Sequence, residues 1–382
     1  MKRMILTGLC MTIACISGCA NSLPPHEKLN QAVKKSFDAS GFNYSSKSRV
    51  TSLSVSKLET MTTPDSKSLK HEGAVIDIVS GFTVNIDGAV DTKSKKSQAV
   101  YDLNYSKDNV EVSIKLPLLI DYSSQTIYIG PSFLNTLLDI ASPQMVKSKG
   151  QLIKINIPEL VREQATNSSE LPKLLGDDRF NSKNMDLMSN VFKAASINVL
   201  ARLDDARFSD QPLTEEDRKT GVERRIQITL GHSDTVAVVL DLVDSISLAL
   251  FQEGAISNNE YAMLHMLTDR QKLEELIDIF EMTMTQDIGV SNSGYVSYVV
   301  SQLKVTDKEG NYHVELENVS AFDRYNAPHF SITPIASRIV DFSEVLNAIK
   351  AIKTEDQDSS QPPLGAPDDS DSTDGDVPLI GS

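Results

Sequence analysis

The chain has 382 residues, a net charge of −15, 23% charged and 40% hydrophobic residues, and no tryptophan. That balance excludes a nucleic-acid surface, which needs a clustered basic face, and leaves only tyrosine to line a sugar-stacking cleft. Cys10, Cys15 and Cys19 are the only cysteines, so the chain after Cys19 has neither thiol nor disulfide.

The start of the chain reads as an address. Met1-Lys2-Arg3 precedes an apolar run from Met4 to Ile16, broken by Thr7, Gly8 and Thr12. A basic start, a short apolar stretch and small residues are the pattern of a secretory leader. The run is too short to cross a hydrocarbon core of ~30 Å as a helix. A zinc or thiol cluster is disfavoured, because Cys10, Cys15 and Cys19 sit inside the apolar segment with no second ligand group. The segment ends Ile16-Ser17-Gly18-Cys19, which resembles the bacterial lipobox. The resemblance implies removal of residues 1–18 as a signal peptide and acylation of Cys19, first on its thiol and then on its new amine. Several acyl chains, of which palmitate is typical, anchor stably where one binds marginally. Ala20 in place of Asp resembles the outer-membrane pattern, so the expected location is the bacterial outer membrane, facing the periplasm. Without Lys2 and Arg3 the charge is −17, and eight acids between Glu355 and Asp376 leave about −9 on the body.

After a tether at 19–25, His26–Phe37 reads as a helix through Leu29, Val33 and Phe37. From Tyr44 the period becomes two. "GFTVNIDGAVD" places Phe82, Val84, Ile86 and Val90 on one face, and "AVYDLNY" and "NVEVSIKL" follow as strands, linked by "SKDN". "LLIDYSSQTIYIG" reads as a further hairpin with Ser123-Ser124 near its tip. Such a meander has one apolar face that something must cover. Helices are expected after Pro131, over 182–194, and over the apolar "SDTVAVVLDLVDSISLALF". Ser257-Asn-Asn-Glu260 and Thr268-Asp-Arg-Gln271 are capping boxes opening two more, the second running through Leu273, Leu276, Ile277 and Phe280. Strands return at Ile226–Leu230, Tyr295–Val305 and Tyr312–Val319, the last pair joined by "DKEGN". "DFSEVLNAIKAI" closes the body as a helix, and the acidic 354–382 tail is expected to be disordered. "FDASGFNYSSK" and "FKAASINVLAR" align as helix end, small residues and strand start, but their flanks do not track each other.

The order of helix, long antiparallel meander, central helices and further strands resembles the LolA/LppX-like lipoprotein carriers. "LNQAVKKSF", "IDYSSQTIYIG" and "ITPIASRIVDFSEVL" carry the likeness over roughly 26–350. It implies an α+β fold, a curved antiparallel sheet (an incomplete barrel) packed on several helices around an apolar cavity. The body is expected to run from 26 to 353, with two sub-domains possible about a split near 145–180.

Candidate chemistry is thin. Ser54-x-x-Lys57 with Lys219-Thr220-Gly221 is reminiscent of penicillin-binding enzymes, but Ser54 falls in an alternating segment instead of at a helix start. His313, Glu315 and Glu317 alternate along one strand face and read as solvated residues opposite Tyr312, Val314 and Leu316. The tail "DDSDSTDGD" lacks the glycine position and terminal Glu of a calcium loop. Met263, Met266, Met282 and Met284 could line an adaptable lipid cavity or an ordinary core. The expectation is a non-enzymatic lipoprotein with no cofactor or metal, anchored through Cys19, binding a lipid or other hydrophobic ligand between sheet and helices. The alternative is an envelope scaffold with a packed core that docks another envelope protein.

Overall fold

The computed structural model describes residues 23–55, 80–107, 109–130, 152–164, 182–267 and 279–345, together with residue 347. The chain divides into two units, Met1–Ile339 and Val340–Ser382, and the first carries the long helices and strands.

Helix α1 spans Pro25–Phe37. Proline in its first turn has the φ a helix needs and lacks only an amide that would be unpaired there. Glu27 in the first turn and Lys34 and Lys35 in the last complement the helix dipole. Five strands follow: β1 (Gly41–Val55), β2 (Phe82–Asp91), β3 (Lys96–Lys107), β4 (Val110–Asp121) and β5 (Thr126–Ile129). The β2–β3 and β4–β5 turns are built alike. In the first, Asp91 Oδ1 accepts from the backbone amides of Lys93 and Ser94. In the second, Asp121 Oδ1 accepts from those of Ser123 and Ser124. Lys95 and Gln125 then take positive φ at the matching position. Strand β6 (Leu152–Asn156) and helix α2 (Ile157–Gln164) complete the first half.

The second half holds α3 (Ser182–Arg202), β7 (Phe208–Gln211), α4 (Glu215–Lys219), β8 (Val222–Leu230), α5 (His232–Gln252) and α6 (Asn258–Leu267). It ends with β9 (Phe280–Ser291), β10 (Val296–Asp307) and β11 (Tyr312–Asp323). A twelfth strand, β12 (Ile339–Asp341), spans the point where the units divide. The other eleven lie in one open antiparallel sheet in the order β6-β5-β4-β3-β2-β1-β11-β10-β9-β8-β7. Two antiparallel meanders are thus fused where β1 pairs with β11, from Asn43 opposite Asp323 to Val55 opposite Tyr312. The fold is α+β, and the sheet does not close.

Several expectations need correction. Residues 192–202 do not turn from helix into strand: α3 runs unbroken to Arg202, with Val191, Ala195 and Val199 buried one turn apart. That removes the alignment with 37–47. Phe280 belongs to β9 and not to a helix. Strand β9 was hidden because Met282, Met284 and Gln286 mimic helical composition. Strands β6 and β7 are short and flanked by polar residues, so neither gave a clear alternation. The capping box Ser257–Glu260 is present. The proposed helices after Pro131 and Thr268, and the tail at 354–382, lie outside the described residues.

Two devices hold the outward side of the sheet. Helix α4 is capped by Thr214 and Asp217, and Asp217 also accepts from the Tyr298 hydroxyl at 2.9 Å. The Tyr298 ring lies over Gly289 on the neighbouring strand, where a Cβ would come within 2.3 Å of it. The segment after β11 crosses the β1–β3 strands. There the Asn43 amide exchanges hydrogen bonds with the His329 backbone, and Gln98 bonds Ser331 and the Ile332 amide.

Burial opposes ionisation of Asp217, but hydrogen bonds from the Thr214 backbone and hydroxyl and from Tyr298 outweigh it, holding the carboxyl below its usual range. A carboxylate with a lowered folded pKa stabilises above its unfolded pKa of ~3.9 and loses that contribution as acid protonates the folded form. Asp217→Ala should therefore lower stability at neutral pH by ~1–3 kcal/mol. Denaturant titrations at pH 7 and at pH 3 should show the gap between variant and native chain narrowing in acid. Gly289→Ala should cost a similar ~1–3 kcal/mol by displacing the Tyr298 ring, measured the same way at pH 7.

Candidate functional site: an apolar cavity against an uncharged sheet face

Directly opposed residues of antiparallel strands share a face, so the registers can be followed across the sheet. One inward row runs Leu116, Tyr101, Ile86, Ser46, Ser320, Val299, Ile288, Ile226 from β4 to β8. The next runs Ile114, Leu103, Val84, Ser48, Asn318, Ser301, Gln286, Ile228. Neither row holds a charge. The outward row between them in register begins Lys115, Asp102, Asn85, Lys47. The outward side carries the ion pairs Arg49–Glu317, Lys304–Glu315 and Arg225–Asp287. Period-two patterning has sorted every formal charge in these rows to one side.

Helices α1, α3 and α5 lie on the inward face over β8–β11. Leu29 and Ala32 of α1 join Phe208, Ile226, Ile228, Leu230, Ile288 and Val290 in the buried core. Helix α3 is fastened along its length, by Lys95–Asp186 to the β2–β3 turn, by Lys193–Asp38 to the end of α1, and by Arg202–Asp241 to α5. Between these helices and the sheet lies a cavity of about 370 Å³. Its walls include Leu29 and Val33 of α1, Val199 and Leu200 of α3, Val238 of α5, and Met284, Ile288, Val299 and Phe322 of the sheet. The polar lining residues are Ser36, Ser196, Gln286 and Tyr325, with no charged side chain among them. Burial pushes the Tyr325 hydroxyl up to about 12, and burial with Tyr101 and Tyr122 nearby does the same for Tyr44. Both phenols are therefore neutral at any physiological pH.

The cavity exceeds twice the ~150 Å³ of an apolar void that stays dry and takes up benzene, and falls in the ~300–1,000 Å³ range of ligand pockets. Away from it, over β3 and β4, the same inward face is open: Val112 is 47% exposed, Tyr101 39% and Leu103 37%. The helices also expose apolar side chains, Phe192 on α3 and Val239 and Leu248 on α5.

Of the residues singled out in the sequence, Met284 lines the cavity, and Met282 shares its face while its amide donates to His232 Nδ1. Met263 and Met266 are instead exposed on α6. Ser54 sits near the end of β1, and Lys219-Thr220-Gly221 ends α4, so the hydrolase-like pieces are parts of unrelated elements. His313 contacts Glu315 outside, and no metal-ligating cluster occurs among the described residues. Cys19 and Lys57 lie outside the described residues. The walls supplied by α1 and α3 went unrecognised as a site, since α1 reads alone as an ordinary amphipathic helix and α3 shows little apolar bias to one face.

No family model and no curated protein matches the chain. A solved structure described as lipid–protein interactions in lipovitellin is 11% identical over 78% of this chain and 26% of its own, at a TM-score of 0.19. The chain spans about a quarter of that protein, and so faint a likeness carries no argument.

Filling the cavity should separate ligand uptake from folding. Val238→Phe and Ser196→Phe, on two different helices, should each cut uptake of an alkyl-chain dye about tenfold with circular dichroism unchanged. Overpacking could cost ~1–3 kcal/mol, so unchanged dye uptake in both folded variants is the result that removes the cavity as the binding site.

Proposed function

We propose that this chain is a non-enzymatic, lipid-anchored envelope protein that binds the acyl chain of a hydrophobic ligand between its sheet and its helices. The observation that carries the reading is the 370 Å³ uncharged cavity, set on a sheet face whose central rows hold no formal charge. A fully packed scaffold has no reason to keep such a volume, because voids in interiors forfeit dispersion contacts. Burying a methylene is worth ~0.8 kcal/mol, so a chain of ~16 carbons gains roughly 12 kcal/mol, against an association cost of ~4–15 kcal/mol. Useful affinity therefore requires that most of the chain be enclosed. Helices α1, α3 and α5 give that enclosure on one side and the sheet on the other.

The anchoring part rests on Ile16-Ser17-Gly18-Cys19. The proposed arrangement holds Cys19 at the periplasmic side of the outer membrane through its acyl chains, with the body reaching away from the bilayer. Two measurements test the parts separately. Organic extraction of the full chain carrying Cys19→Ser, followed by mass spectrometry, should release a lipid at near one-to-one stoichiometry; repeated recovery of none sinks the binding reading. Metabolic labelling with a palmitate analogue should mark the native chain and the Cys10→Ser and Cys15→Ser variants but not Cys19→Ser. Label surviving in Cys19→Ser removes the anchor.

A further inference from the structure

The inward face is interrupted at its centre by a polar island. Ser46 and Ser48 of β1, Asn318 and Ser320 of β11, Ser301 of β10 and Gln286 of β9 are neighbours across the sheet. Asn318 Nδ2 donates to the hydroxyls of both Ser46 and Ser48 at 2.8 Å. The Ser320 hydroxyl donates to Asn318 Oδ1 at 2.8 Å and approaches Ser46 Oγ at 3.1 Å. Gln286 Nε2 donates to Ser301 Oγ at 3.3 Å. Beyond Ser46 on β1 lies Tyr44, opposite Phe322, and the other neighbours in register are apolar. Phe322 and Val299 lie beyond one end, Val50, Leu316 and Leu303 beyond the other, Val84 and Ile86 on one flank, and Ile228 on the next strand.

From this juxtaposition we propose that the island is the polar subsite of the cavity, taking the uncharged carbonyl oxygens of an ester-bearing acyl lipid. The inference rests on the lipid-binding reading and names the class of ligand. Gln286 belongs both to the island and to the cavity wall, so a chain lying in the cavity has its polar end within reach of the island. The bonds within the island use Ser46, Ser48 and Ser301 as acceptors. Each hydroxyl keeps its proton to donate, so the island offers hydroxyl donors to an acceptor. A carboxylate or phosphate headgroup has no counter-charge there, because no Lys or Arg occupies either central inward row, and a desolvated unpaired charge is far costlier than a neutral carbonyl. A role confined to aligning β1 with β11 accounts for Ser46, Ser48, Asn318 and Ser320. It leaves unexplained Ser301, on the strand next to β11, and Gln286, one strand further on.

The test uses the delipidated full chain carrying Cys19→Ser and three probes: dioleoylglycerol, oleate, and a pure hydrocarbon of comparable length. Competition against an alkyl-chain dye should rank dioleoylglycerol at least tenfold above the hydrocarbon and above oleate. In Ser301→Ala and in Gln286→Leu, the preference of dioleoylglycerol over the hydrocarbon should fall by about tenfold. An undiminished preference in both variants, or oleate equalling dioleoylglycerol on the native chain, overturns the subsite and leaves the cavity standing. Failure of all three probes on the native chain overturns the lipid-binding reading itself, and the subsite with it.

Discussion

The pairing of β1 with β11 is the constraint on which the other features depend. It joins residues 41–55 to residues 312–323, a separation of most of the chain. Without it each meander would have an additional open edge, and the inward rows would stop at β1 and at β11. With it, the apolar residues of the first half and the cavity wall of the second lie on one continuous surface. Loop closure over so long a stretch grows only with the logarithm of its length, so the equilibrium penalty is modest. The folding rate is more affected, since non-local strand pairing is slow to find.

The same pairing sets where polar groups can sit. Across the two central inward rows, the polar side chains fall on β1, β11, β10 and β9, and the other strands carry hydrophobic residues. Serine and asparagine at the junction satisfy one another, and these bonds fix partners where the apolar signal that ordinarily sets register is interrupted. The outward side handles charge by pairing it, as in Arg49–Glu317 across that very junction. Solvent-exposed pairs of this kind contribute little stability; their value here is that charge stays off the inward face.

Much of this was legible beforehand. Strands β2 to β5 could be read because their alternation is strict and their turns carry Asp followed by small polar residues. Helix α5 was plain from its apolar run. What the sequence withheld was non-local. Nothing local in "SSKSRV" or "VELENVS" says that β1 and β11 are partners, so the serines of one and the asparagine of the other could not be placed together. Strand β9 was lost to its methionines, and α3 was cut short because "AASINVLAR" has β-branched residues that tertiary packing overrides.

The open inward face has an energetic consequence. Val112, Tyr101, Leu103, Phe192 and Val239 retain substantial exposure, so part of the surface that would ordinarily stabilise the fold is left in water. Each Å² of apolar area left in water forgoes ~25 cal/mol, and the cavity behind α1 and α3 adds the contacts its walls lack. A ligand that enters supplies both at once and binds only the folded chain. Its affinity then adds to stability as RT ln(1 + [L]/Kd), ~2.7 kcal/mol at a hundredfold excess over Kd. On the proposed reading, in which cargo completes the core, loading and folding would be one equilibrium. The helices that wall the cavity, tied to the sheet by Lys95–Asp186 and to one another by Arg202–Asp241, are the elements through which the two would then be coupled.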